Sequence, residues 1–223
     1  YRPVRSAATF LLLLFGLFIV ATLVLLLTGL GYRAALLDMT RSGGSLSDAI
    51  RWEDNFLAAS GLLGGVNIVL ITSFIFWFWR AYSNLSTLGK PTRRKPGWAI
   101  AAWVVPIANF FIPYQIGAEI WRSSTADIQG SEAGRDANLE PVISWWALFL
   151  LMGLVNQVGF FSGRDVGEDV ERMAAVVAVD LIGGLVSIAA AIAAFRFVRL
   201  ATMRQEVIAD LRFGPDEDFT HQR

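Results

Sequence analysis

The chain has 223 residues, 55% hydrophobic and only 17% charged, and its 19 basic and 19 acidic side chains cancel to a net charge of zero. Soluble domains carry about 25% charged residues, so a mean hydropathy of +0.51 points to lipid as the main solvent. Balanced charge excludes a basic field for nucleic acid. The lack of cysteine excludes disulfides, iron–sulfur clusters, thiolate zinc sites and cysteine nucleophiles. The single histidine, His221, lies two residues from the C-terminus. That position excludes buried haem ligation, His-dependent triads and zincin motifs. The composition predicts a membrane protein without enzymatic activity, cofactor or metal.

Residues 8–30 run for 23 positions without a charge, enough to cross a hydrocarbon core about 30 Å thick. Arg2 and Arg5 precede this run, but it is too long for a signal-peptide h-region and no small-x-small cleavage site follows. It reads as a retained helix, leucine-rich on all sides and expected to face lipid at the edge of a bundle. The first residue is Tyr1 rather than Met, so a longer native N-terminus stays open. Residues 56–79 form the second expected span, with a helical lead-in from near Ser47. Gly61 and Gly65, four apart and followed by Asn67, predict close backbone approach within the bundle or in a dimer. Residues 141–161 are the third span, with Pro141 suited to its first turn. Residues 173–195 are the fourth, with helical periodicity continuing to about Leu211 and stopped by Gly214 and Pro215. This divides the chain into an N-terminal helix and external loop (1–55), a membrane helical domain (56–212) and a polar tail (213–223).

Residues 97–117 are apolar but carry Pro106, Asn109, Pro113 and Gln115. Nine residues precede Pro106 (97–105) and nine follow Pro113 (114–122), each arm rising about 13.5 Å, roughly half the hydrocarbon core. The pattern predicts either a re-entrant pair of half-helices or one proline-kinked crossing. Basic residues concentrate in cytoplasmic loops. A full crossing divides them almost evenly, nine inside against ten outside, whereas a returning segment places fourteen inside and five outside. The expected fold is an all-α polytopic bundle of four spanning helices plus a proline-broken segment, with five spans as the alternative. Both termini and the basic loop of Lys90, Arg93, Arg94 and Lys95 then face the cytoplasm, and loops 31–55 and 162–172 face outward. Trp77, Trp79, Trp98, Trp121, Trp145 and Trp146 fall near the cytoplasmic interface in this arrangement.

Four polar residues stand inside apolar segments: Asn67, Asn156, Gln157 and Asp180. Asp180 shares one helix face with Gly184, Ser187 and Ala191, which should be interior. An acid at that depth costs roughly 2.5–3.5 kcal/mol on insertion scales and must face protein or water. Asn156 and Gln157 lie at a similar depth. They allow a hydrogen-bonded structural pin with Asp180, or part of a proton or cation relay.

A tryptophan-rich helix end is followed by Arg80 and Asn84, the basic linker, Trp98, and then Trp103, Pro106, Asn109, Pro113, Tyr114 and Trp121. The string Trp-x2-Pro-x2-Asn-x3-Pro-Tyr, over a region of about 56–205, resembles a bacterial, mainly actinobacterial, multi-pass membrane family of unknown function. The resemblance implies a fold and a location in the bacterial inner membrane, and no activity or cofactor. As a structural unit, Trp98 and Tyr114 would anchor the two arms, and Asn109 would bond backbone groups released by the prolines. Arg80 would pair with Glu119 or snorkel to phosphates. Two functions follow. One is a non-catalytic accessory subunit whose partners are the bilayer and other membrane subunits or itself, with no nucleic acid. The other is a small-solute or ion pathway built on the broken segment and Asp180. Anionic lipid sensing by the basic loop is a third, although topology alone accounts for those charges equally well.

Overall fold

The structure, a computed structural model, describes residues 1–129, 138–164 and 169–214. Parts of loops 117–140 and 162–172, and most of the polar tail with His221, lie outside the described residues. Among those described, all regular structure is helical: α1 (Arg5–Ser42), α2 (Leu46–Thr87), α3 (Trp98–Ala101), a 3-10 turn (Ile107–Phe110), α4 (Ile112–Gln129), α5 (Glu140–Ser162) and α6 (Val170–Phe213). Four of these, α1, α2, α5 and α6, are long and apolar enough to cross a membrane. Residues 97–117 form no fifth continuous helix.

The expected external loop 31–55 is instead mostly helix. Helix α1 continues to Ser42 and α2 begins at Leu46, so only residues 43–45 connect them. The domain boundary drawn at 55/56 therefore falls inside α2. Arg33, Asp38, Arg41, Asp48 and Arg51 end the apolar run without ending the helical period. Tyr32 and Leu36 are buried with Ala174 and Val177 and pack against Trp52 and Phe56. At 38 residues, α1 is about 57 Å long, well beyond what the hydrocarbon core requires. Gly43, with φ of 71°, turns the chain out of α1 without the Cβ penalty of that conformation.

The chain divides into two compact units. One comprises Leu12–Thr72 and Ile143–Phe195. Here α1 is not lipid-facing on all sides: Phe15, Phe18, Thr22 and Leu26 are buried, while Leu13, Leu17, Val20 and Leu27 are exposed. Close backbone approach occurs at glycines other than Gly61 and Gly65. A Cβ on Gly31 would come 2.4 Å from the Trp52 ring, one on Gly29 3.0 Å from Phe56, and one on Gly184 2.8 Å from Leu26. At Gly61, Gly64 and Gly65 nothing lies within 4 Å. Ser187 and Ala191 are buried beside Gly184 on α6.

The other unit comprises Tyr1–Leu11, Ser73–Val142 and Arg196–Arg223. Its centre is aromatic. Trp77 is fully buried, its indole N–H donates to Thr202 Oγ1 at 3.0 Å, and Phe197 meets its ring edge-on at 5.8 Å. The Trp121 indole donates to the Asn138 carbonyl at 2.8 Å, with the Arg204 guanidinium 3.9 Å from its ring. These two tryptophans, and Trp145 and Trp146 in the first unit, are buried against protein.

Candidate functional site

The basic loop is held by its backbone. Helix α2 closes at Gly89, whose φ is 69°, with the Lys90 N–H returning to the Leu85 carbonyl at 2.8 Å, the Schellman arrangement. The Arg212 guanidinium donates to the Leu88 carbonyl, one of those left unpaired at the end of α2. Further on, the Arg93 N–H donates to Glu119 Oε2 at 3.2 Å. The Tyr82 hydroxyl donates to the same oxygen at 2.8 Å and accepts the Arg94 N–H at 3.3 Å. Arg80 is not the partner of Glu119: its Nε is buried without a hydrogen bond, and its guanidinium lies 6.0 Å from the Phe76 ring. A phenol reaches the carboxylate from α2 where a long cationic side chain, two residues earlier, leaves on another side of the helix.

Glu119 lies on α4, so the chain leaves the basic loop at Arg93 and returns to it at Glu119. Between them the two arms are unequal, not matched nine-residue halves. Helix α3 has four residues, the 3-10 turn spans Ile107–Phe110, and α4 runs 18 residues from Ile112. Pro106 has no N–H and disfavours helical geometry at Val105, which breaks the first arm. Pro113 stands in the first turn of α4, where a missing N–H costs nothing. Trp103 binds the return to α2, its ring edge-on to Phe74 at 5.7 Å and Phe78 at 5.9 Å. Trp98 is partly exposed and Tyr114 half-buried, while Pro113 is buried.

Asn109 does not bond backbone released by the prolines. Its Oδ1 is buried without a partner. Main-chain turns hold this stretch, through the Asn109 N–H to the Val105 carbonyl at 3.0 Å and the Phe111 N–H to the Ala108 carbonyl at 3.1 Å. Asn109→Leu is therefore expected to keep or raise the melting temperature in detergent. A loss of more than about 1 kcal/mol would mean that its amide is satisfied after all.

Tyr82, beyond the apolar part of α2, has its phenol pushed up to about 12, first by burial and then by the hydrogen bond to Glu119. A raised phenol pKa stabilises the fold below the ordinary value near 10, and that contribution disappears as pH rises through 12. Thermal unfolding in detergent should thus show a loss of stability between pH 10 and 12 that is smaller in Tyr82→Phe.

Asn84 has a role that its position in the motif did not disclose. Its side chain accepts the Arg2 N–H at 3.1 Å and donates to the Arg2 carbonyl at 2.8 Å. Glu206 completes this clamp on the N-terminal segment: its Oε1 accepts the Val4 and Arg5 N–H groups, at 3.0 and 3.1 Å, and the Tyr1 hydroxyl at 3.0 Å. A carboxylate at the start of α1 meets orphan N–H groups and the positive end of the helix dipole. Glu206 was not singled out from sequence. Its one signal was an acid, like Asp210, within an arginine-rich helix end.

In the other unit Asp180 makes no hydrogen bond to Asn156 or Gln157. Its Oδ1 lies over Gly159, 2.9 Å from where a Cβ would stand, and Asn156 Oδ1 lies 3.0 Å from the corresponding point on Gly183. Each helix thus lays a polar side chain on the other's glycine. The expected pin is a packing exchange, because glycine leaves room for these side chains to lie flat on the opposing backbone. Gln157 is exposed, and Asn67 is half-buried on α2. Among the described residues no three His, Asp or Glu side chains converge as metal ligands.

An all-helical fold with four helices long and apolar enough to cross a membrane, and a proline-broken segment between the second and third of them, is that of an α-helical membrane protein. The family model of a domain of unknown function (DUF4328) matches residues 42–203, and the chain belongs to that family. No curated protein and no solved structure matches it.

Proposed function

We propose that the protein is a non-catalytic accessory subunit of the bacterial cell membrane, packing against other membrane proteins or a second copy of itself. The observation that carries this reading is the open face of α2. Gly61, Gly64 and Gly65 have no neighbour within 4 Å, and exposed Leu57 and Ile68 flank them. Between membrane helices there is no hydrophobic drive, so association depends on small residues that let backbones approach. A further membrane helix is the occupant such a face fits.

Four spans, a re-entrant 97–117 and a cytoplasmic basic loop complete the reading. They are supported by the Arg93–Glu119 hydrogen bond, which closes the segment on its own start, and by the fourteen-to-five bias in basic residues. Lys95→Cys and Arg122→Cys should then be labelled from the same face of intact membranes. Labelling from opposite faces would restore five spans. For the function itself, mild solubilisation of native membranes should yield a stoichiometric partner or a homo-oligomer that Gly61→Leu/Gly65→Leu loses without a change in melting temperature. A monomer that copurifies with nothing would overturn the reading.

A second reading, a small-solute or ion pathway, is favoured by Asp180, whose carboxyl has no hydrogen bond within an apolar helix. Proton-driven flux in reconstituted vesicles, abolished by Asp180→Asn, would establish it over the first.

A further inference from the structure

We propose that the Arg93–Arg94–Lys95 loop, with the apolar turn that follows it, is a docking surface for anionic phospholipid headgroups of the leaflet it faces. The inference rests on the reading that this loop lies at a membrane surface. It goes beyond charge counting because of how the nearest acid is used. Glu119 touches the loop, and an ion pair with one of its cations would be the ordinary outcome. Its Oε2 instead takes the backbone N–H of Arg93 and the hydroxyl of Tyr82. The loop backbone is thereby fixed at Arg93 and again at Arg94, through Tyr82. Arg93, Arg94 and Lys95 make no ion pair among the described residues, and Arg93 and Lys95 are exposed. Three cations are held at a set place with no internal counterion.

The apolar half of the surface follows directly. Beyond Trp98, the turns around Pro106 expose Val104 and Ile107 at 80% and 78%, along with Ile100, Phe110 and Phe111. Helical pairing cannot cover them, since the prolines prevent a continuous helix there. Acyl chains can. Cations beside inserted apolar residues form a surface that matches a phosphate headgroup above its own chains, and juxtamembrane cations of this kind are drawn to anionic lipid.

The test uses the full chain reconstituted in phosphatidylcholine, with spin-labelled phosphatidylglycerol and spin-labelled phosphatidylcholine as probes of lipid held at the protein surface. The expected result is a preference for phosphatidylglycerol of about threefold or more at low salt, falling toward unity as salt is raised. Arg93→Gln/Arg94→Gln/Lys95→Gln should abolish the preference. Arg33→Gln/Arg41→Gln/Arg51→Gln, which removes the same charge from the α1–α2 hairpin, should retain it. A parent without preference, a preference insensitive to salt, or equal loss in both triple variants would each overturn the proposal. The salt titration needs no variant, so misfolding of the triple variant cannot mask the outcome. Cysteine labelling of Lys95 and Arg122 separately decides the re-entrant reading, and opposite-face labelling would remove that reading without altering the lipid measurement.

Discussion

Leucine in place of Asn84 is expected to destabilise the detergent-solubilised protein by about 2–4 kcal/mol, since it strands two partly buried backbone groups at once. Asn84 is 2% exposed, and its amide fills both hydrogen-bonding positions of Arg2. Leucine also branches at Cγ, is bulkier, and removes both bonds. Asn84→Asp separates the two. Its carboxylate still accepts the Arg2 N–H but cannot donate to the Arg2 carbonyl, so an intermediate loss is expected. The clamp is shared with Glu206, which binds the next residues along, and Glu206→Gln in the Asn84→Leu background should cost less than in the parent. Neighbours in one network are not additive. A thermal melt of the four proteins reads this directly. Equal costs of Glu206→Gln in both backgrounds would mean that the two side chains act independently.

Asp180→Leu is expected to keep or raise stability, by up to about 2.5–3.5 kcal/mol, the cost of placing an acid at depth in an apolar helix. Leucine branches at Cγ as aspartate does, and Gly159 leaves room beneath it. A hydrogen-bonded pin predicts the opposite, a loss of about 1–3 kcal/mol from amide groups left without a partner. Asp180→Asn should fall between parent and Leu. If the carboxyl exchanges protons, the same substitutions separate stability from flux: folding survives in both variants, and transport fails in both. A destabilised Asp180→Leu protein that Asp180→Asn rescues would restore the hydrogen-bonded role.

Much of the architecture was legible because a lipid solvent writes itself plainly into composition. Four apolar runs of sufficient length, three of them uncharged and the fourth carrying only Asp180, read as helices, since hydrocarbon offers backbone groups no partner outside the segment. The two prolines likewise made a break in 97–117 readable before any coordinates. Periodicity beyond the membrane was harder to see. Tyr32 and Leu36 continue the buried face of α1 among Arg33, Asp38 and Arg41, where charge ends the apolar run but not the helix.

Residue order alone settles which segments are apolar enough to cross, where helical backbone must break and how the basic residues are distributed, because these depend only on local chemistry and spacing. Which side chains meet was decided by tertiary structure. Tyr82 rather than Arg80 reaches Glu119, Glu206 receives the start of α1 from 201 positions along the chain, and Gly31 rather than Gly61 accepts a neighbour's ring. Partner choice depends on the rotation and register of one helix against another, and residue order along one chain carries no direct trace of either.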